Sequence, residues 1–256
     1  VAGLTHGVTY TFTVTAANGV GESDPSESSN TITLVTVPSP PTGLLAVPGN
    51  AKASVSWTAP SDDGGTPITA YTVTSLPGNI TSTTTDHSIS ITGLNNGVSY
   101  TFTVTASNSV GESDPSIASN SITPSSVPIA ISQSVSMIED DTLSIFLEGQ
   151  DSDGNNLTFL ISSHPSDGTL SSMTLTGTNT ASILYVPPEN FNGSTSFTFT
   201  VNNGILTSTE ATIDIQITAV NDPPSGQQSS ISTDEDTLTV LTLNGSDPEG
   251  DILNFS

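Results

Sequence analysis

The strongest constraint on this chain is its self-similarity. The stretch from Gly3 to Thr33 returns as Gly93 to Thr123, 90 residues later and without a gap, with 23 of 31 positions identical. A different repeat fills the other half. Glu139-Asp140-Asp141-Thr142-Leu143 pairs with Asp234-Glu235-Asp236-Thr237-Leu238, and Asp151-Ser152-Asp153-Gly154 with Asp247-Pro248-Glu249-Gly250, at an offset of 95 that becomes 96. Each period is the size of one small domain with its own core, so the 256 residues hold several domains rather than one.

Within each period the apolar residues alternate. Tyr100, Phe102, Val104 and Ala106 interleave with Thr101, Thr103 and Thr105, and the same period of two runs through Ser54 to Thr58, Ser88 to Thr92, Ser196 to Val201 and Thr212 to Thr218. That is the pattern of a half-buried strand, and the Thr, Val, Ile and Phe that fill it suit a pleated surface. Turn clusters such as Ser61-Asp62-Asp63-Gly64-Gly65 and Asn95-Asn96-Gly97 separate the strands, and no amphipathic helix with caps is present. Proline gathers at Val37-Pro38-Ser39-Pro40-Pro41, Ser125-Ser126-Val127-Pro128 and Asn221-Asp222-Pro223-Pro224, where it removes ladder donors and stiffens the chain. The expected division is an all-β array: a truncated domain at 1–37, complete β-sandwiches at 38–127 and 128–222, and the start of a fourth at 223–256.

Charge narrows the partners. One Lys or Arg, Lys52, stands against 25 Asp and Glu, for a formal charge of −24. Phosphate binding needs clustered Lys and Arg, so nucleic acid is excluded as a partner, and an anionic membrane surface repels such a chain. A chain this acidic requires screening or bound cations to stay compact, from specific Ca²⁺ sites, a salty medium, or both. There is no cysteine for disulfides or thiolate metal sites, and no apolar run long enough for membrane insertion.

Residues 38 to 126 resemble a fibronectin type III domain, through Pro41 with Leu44, Trp57 in Val55-Ser56-Trp57, Tyr71 in Ile68-Thr69-Ala70-Tyr71, and Gly93-Leu94 followed by Tyr100. Residues 1 to 37 resemble the last third of another. The resemblance implies a core role for Trp57, a corner contact from Tyr100 to the backbone, and a spacer or binding module without catalysis. The integrin-binding Arg-Gly-Asp turn of some members is replaced by Asn108-Ser109-Val110-Gly111-Glu112.

Residues 129 to 221 resemble the cadherin-like tandem repeat of large bacterial surface proteins. The match lies in the Glu-Asp-Asp-Thr-Leu opening, Asp151-Ser152-Asp153-Gly154, Tyr185 to Gly193, Phe197-Thr198-Phe199-Thr200-Val201 and the Asn221-Asp222-Pro223-Pro224 exit. The fold implied is a linear array of immunoglobulin-like, fibronectin type III and cadherin-like sandwiches. Acids often found in two turns of that repeat stand here as Ser194, Thr195, Asn202 and Asn203, which removes carboxylates from those turns.

Acids gathered where two domains meet suit Ca²⁺, which takes six to eight oxygen ligands. At the later junction cadherin-like logic combines Glu139, Asn221 and Asp222, and Asp247, Glu249 and Asp251 of the following domain. Asp151 and Asp153 form a weaker candidate, because the Val127-Pro128-Ile129 junction lacks the Asn-Asp pair. Such a junction springs open on its own charge and closes on a divalent ion. No EF-hand is made, since Asn156 replaces the required glycine and Ser162 the terminal glutamate. His6, His87 and His164 are isolated, and no nucleophile elbow or phosphate loop occurs. The chain is therefore expected not to be an enzyme. It is read as a structural or adhesive region of an extracellular or cell-surface protein, its ligand a surface or matrix component such as a polysaccharide. The alternative is a non-catalytic accessory region of a secreted polysaccharide-degrading enzyme.

Overall fold

The computed structural model describes residues 1–228 and 230–255. Ser229 and Ser256, which fall in the expected 223–256 segment, lie outside the described residues. Every regular element among the described residues is a strand, and the chain forms two compact units, Val1–Val127 and Pro128–Ser256.

In the first unit, one sheet orders its strands Thr42–Gly49, Lys52–Thr58, Ser88–Thr92, and the facing sheet Thr81–Thr84, Ala70–Leu76, Thr101–Ser107. The alternating residues do what their period demands: Val55, Trp57, Tyr71, Val73, Ile91, Phe102, Val104 and Ala106 turn inward and share one core. Full burial of side chains of this size stabilises the sandwich by roughly 1.5–3 kcal/mol each before chain entropy is subtracted. Trp57 is 6% exposed, and the Asn95 amide donates to Tyr100 Oη at 3.1 Å, the expected corner contact.

The free edge of the Thr101–Ser107 strand is closed by a segment that is not a strand. The amides of Ser113, Ser116 and Ser119 donate to the carbonyls of Ala106, Val104 and Phe102 at 2.8–2.9 Å. The amides of Ala106, Val104 and Phe102 donate back to the three serine Oγ atoms at 3.0–3.1 Å. Each hydroxyl then donates to the carbonyl of the residue after it. The period is three, so every third residue meets every second residue of the strand. Next in line, Asn120 presents its amide to the opposite sheet, accepting from Ala46 N and donating to Ala46 O, both at 2.9 Å. One irregular segment thus satisfies the edges of both sheets, where unpaired groups would otherwise recruit another chain.

In the second unit the sheet ordered Gln133–Ile138, Ala211–Thr218, Gly193–Asn202, Thr158–Ser163 faces a sheet centred on Thr180–Val186 and Leu143–Gln150. Between them lie Tyr185, Phe197, Phe199, Ile213, Ile215 and Ile217. Gln133–Ile138 runs parallel to Ala211–Thr218, in register from Gln133 opposite Ile213 to Ile138 opposite Thr218. Parallel strands end on the same side. Glu139, the first residue past one strand, is therefore delivered beside the chain that leaves the other, and its amide extends the ladder to Thr218 O at 3.0 Å.

Candidate metal centre

That topology brings three of the eight candidate residues together. Glu139, Asp222 and Glu249 each offer a carboxylate oxygen, and these oxygens lie within 4.8 Å of one another. Glu139 comes from the end of the opening strand, Asp222 from the exit linker, and Glu249 from the loop that follows the short strand Gly245–Ser246.

Glu139 is 2% exposed although it is an acid. Its Oε1 accepts from Val220 N at 2.7 Å and its Oε2 from Asn192 Nδ2 at 3.5 Å, so it ties the linker to the body of the domain. Glu249 Oε2 accepts from Asp222 N at 3.0 Å. The Asp222 side chain is half-buried, and its covered Oδ2 has no hydrogen-bond partner. Desolvation, then the negative charges of Asp140, Glu249, Glu139 and Asp247, pushes the Asp222 carboxyl above its ordinary value. Asp140, which the sequence reading did not single out, lines one open hollow with Asp222 and Asp247. Asn192, which lies within the Tyr185 to Gly193 motif, supplies a donor to the buried Glu139.

The remaining candidates divide by what their oxygens already hold. Asp247 Oδ1 accepts from the amides of Glu249 and Asp251 at 3.1 and 2.9 Å, and Gly250 completes the turn at φ +81°, a conformation that favours glycine. Asp247 thereby shapes the loop that presents Glu249, while Asn221 and Asp251 line a second hollow that Asp247 also borders. Asp151 makes the same turn one repeat earlier, accepting from the amides of Asp153 and Asn155 at 3.0 Å. The structure does not bring Asp151 and Asp153 into the carboxylate trio.

Asp151 is 8% exposed, and its second oxygen accepts from Asn203 Nδ2 at 2.7 Å. Burial alone would raise its pKa, but the bonds from Asn203, Asn155 and the amide of Asp153 outweigh it and hold the carboxyl below the usual range. The asparagine at 203 now has a reason. An acid there would set a second carboxylate against Asp151, whereas the amide makes a hydrogen bond.

The donor set of Glu139, Asp222 and Glu249 fits a hard divalent cation. It is all oxygen and all anionic, one oxygen is orphaned, and a spread of up to 4.8 Å lets the three share one ion at the 2.3–2.6 Å typical of Ca²⁺. Mg²⁺, at about 2.0–2.1 Å, demands a tighter set. Asp140 and Asp247 add negative charge around the same point.

Comparison with known proteins fits this architecture. Residues 39–122 match the family model for the fibronectin type III domain and residues 125–216 that for a bacterial Ig domain. The chain therefore carries a fibronectin type III domain followed by a bacterial Ig-like domain, the latter covering most of the repeat described above as cadherin-like. It is 36% identical over 135 residues to Chitinase A1 of Niallia circulans, covering 48% of this chain and 18% of that protein. It is 28% identical over 151 residues to Endoglucanase B of Cellulomonas fimi, covering 54% and 14%. Among solved structures, domains A168–A170 of titin align with 27% identity and a TM-score of 0.36, over 47% of this chain and 42% of that one.

Proposed function

We propose that this run of fibronectin type III and bacterial Ig-like domains is a structural and adhesive segment of a large extracellular bacterial surface protein, non-catalytic in itself, whose later junction is stiffened by Ca²⁺. The observation that carries the reading is the trio Glu139, Asp222 and Glu249, drawn from a domain, its exit linker and the domain after it. Three carboxylates at one hinge repel one another, and residues 128–256 contain no Lys or Arg to relieve them. Glu139 fastens the linker through Val220, and Glu249 fastens it through the Asp222 amide. A bound Ca²⁺ would supply the positive charge these contacts lack and join the same three segments.

Isothermal titration of the chain with Ca²⁺ tests this reading. Binding that disappears in a triple Glu139→Gln, Asp222→Asn, Glu249→Gln variant supports it, and heatless titration of the folded chain discards the metal.

A second reading is favoured by the relatives named Chitinase A1 and Endoglucanase B: the same domains would serve as accessory or spacer modules beside a polysaccharide-degrading domain. Pull-down of the chain on insoluble chitin and cellulose separates the two. Retention on either polymer favours the accessory reading, and its absence together with a calcium response favours the surface array.

A further inference from the structure

We infer that the Asp62–Gly65 loop, with Asn108 beside it, is a docking surface for the tail of the preceding fibronectin type III domain of the same chain. Two successive domains of this type would then meet in one fixed orientation without a metal ion.

The contact is made of backbone. Thr36 N donates to Gly64 O at 2.9 Å, and Asn108 Nδ2 donates to Thr36 O at 2.6 Å and Asp63 O at 2.8 Å, so one buried side-chain amide clasps the incoming tail and the receiving loop together. Ser39 N then donates to Asp62 O at 2.9 Å as the tail passes into the next domain. The glycines are required by space as well as by angle. Gly64 and Gly65 sit at φ +77° and +81°; a Cβ on Gly64 would lie 2.1 Å from Thr36 O, and one on Gly65 2.3 Å from Gly7 N. Neither neighbour is a flexible side chain that could turn away.

Gly7 belongs to the turn that precedes the Thr9–Tyr10 strand, so the loop receives two features of the earlier domain, its tail and its turn. Each acid of the loop accepts an amide of the loop itself: Asp62 Oδ1 accepts from Gly64 N and Asp63 Oδ1 from Gly65 N, both at 2.8 Å.

The presenting half recurs. Gly97 N donates to Pro124 O at 2.9 Å as Gly7 N does to Leu34 O at 2.8 Å, so the next domain builds the same turn against its own tail. The receiving sequence Asp-Asp-Gly-Gly occurs once in the chain. Presenting and receiving surfaces are different patches, so the contact is heterologous, head to tail.

Amide hydrogen exchange of the whole chain in EGTA tests the joint. The Thr36 amide is expected to be protected without Ca²⁺, and to exchange about tenfold faster or more in Gly64→Ala and in Asn108→Asp. Asn108→Asp keeps the oxygen that caps the Val110 and Gly111 amides and replaces the clasping donor by a carboxylate oxygen that repels the Thr36 and Asp63 carbonyls. Gly93→Ala imposes comparable strain, at φ +79°, where a Cβ meets nothing within 4 Å, and should leave Thr36 unchanged. In all variants the Val104 and Phe102 amides should keep their protection. A Thr36 amide that exchanges like an unstructured one, that is protected only with Ca²⁺, or that ignores both the Gly64 and Asn108 variants overturns the proposal.

Discussion

The two places where one domain follows another are built on opposite principles. At residues 34–39 the linker is met by carbonyls, amides and a pair of glycines, and the nearby acids Asp62 and Asp63 each turn one oxygen to the loop's own N–H groups. At residues 139, 222 and 249 the linker is met by carboxylates, and Asp222 keeps an oxygen that nothing donates to. Acid content does not distinguish these sites, since both are acid-rich. The supply of backbone and amide donors does, because a carboxylate surrounded by N–H groups is settled and one surrounded by carboxylates is not.

The largest expected effect follows from that contrast. With Ca²⁺ at about 100 times its dissociation constant, the second unit should gain about 2.7 kcal/mol of stability and the first unit none. Denaturation followed by amide resonances assigned to each unit reads the two separately. Equal gains in both units would mean that calcium acts on net charge alone, and the comparison would collapse.

A slightly smaller effect tests how the first unit closes without ions. Ser116→Ala strips the Oγ from a buried Val104 amide, so the 38–127 domain should lose about 2 kcal/mol, within the usual range for an orphaned buried donor. Ser26 makes the same bond to Val14 N in the 1–37 segment, but there both residues are exposed and water replaces the hydroxyl. Ser26→Ala should therefore shift urea denaturation little. A comparable loss from both substitutions would show that the ladder's worth does not come from burial.

Glu139→Gln ranks next. Glutamine keeps an oxygen for the Val220 amide and removes one of the three charges, so Ca²⁺ affinity should fall about tenfold, equivalent to ~1.4 kcal/mol, with the fold intact. Titration calorimetry reads this directly, and unchanged affinity would take Glu139 out of the site.

How much of this was legible beforehand depends on the range of each interaction. Trp57, Tyr71, Phe102 and Val104 announce their burial through a period of two, because a strand's own geometry decides which way its side chains point. Ser113, Ser116 and Ser119 are as regular, but their period of three matches neither strand nor helix and reads as loop; its meaning lies in a strand several residues upstream. The copy at Ser23, Ser26 and Ser29 makes the same bonds within residues 1–37, so the ladder itself needs only local sequence. Asn120 and its copy Asn30 differ. Asn120 bonds Ala46 across the sandwich, whereas Asn30, lacking that strand, donates to Thr31 O at 3.4 Å. In the same way the Asp151 and Asp247 turns are alike in sequence and in local hydrogen bonds. Sorting one from the other took Asn203 and Asp222, which are distant in the chain from the turns they serve.

The smallest expected effect opposes those two kinds of acid through pH. Asp151 has a folded-state pKa below the unfolded value of about 3.9, so its contribution to stability is fully present above that value and is lost as pH falls through the folded one. Asp222 has a raised pKa, so its contribution runs the other way, present at low pH and lost as pH rises through its folded value without calcium. Asp151→Asn should flatten the acid limb of the second unit's stability curve, and Asp222→Asn should raise stability near neutrality in EGTA while leaving the acid limb in place. Urea denaturation between pH 2.5 and 7, at fixed ionic strength, measures both. If the two substitutions bend the curve in the same direction, the distinction between an amide-satisfied carboxylate and an unsatisfied one does not control this protein's response to charge.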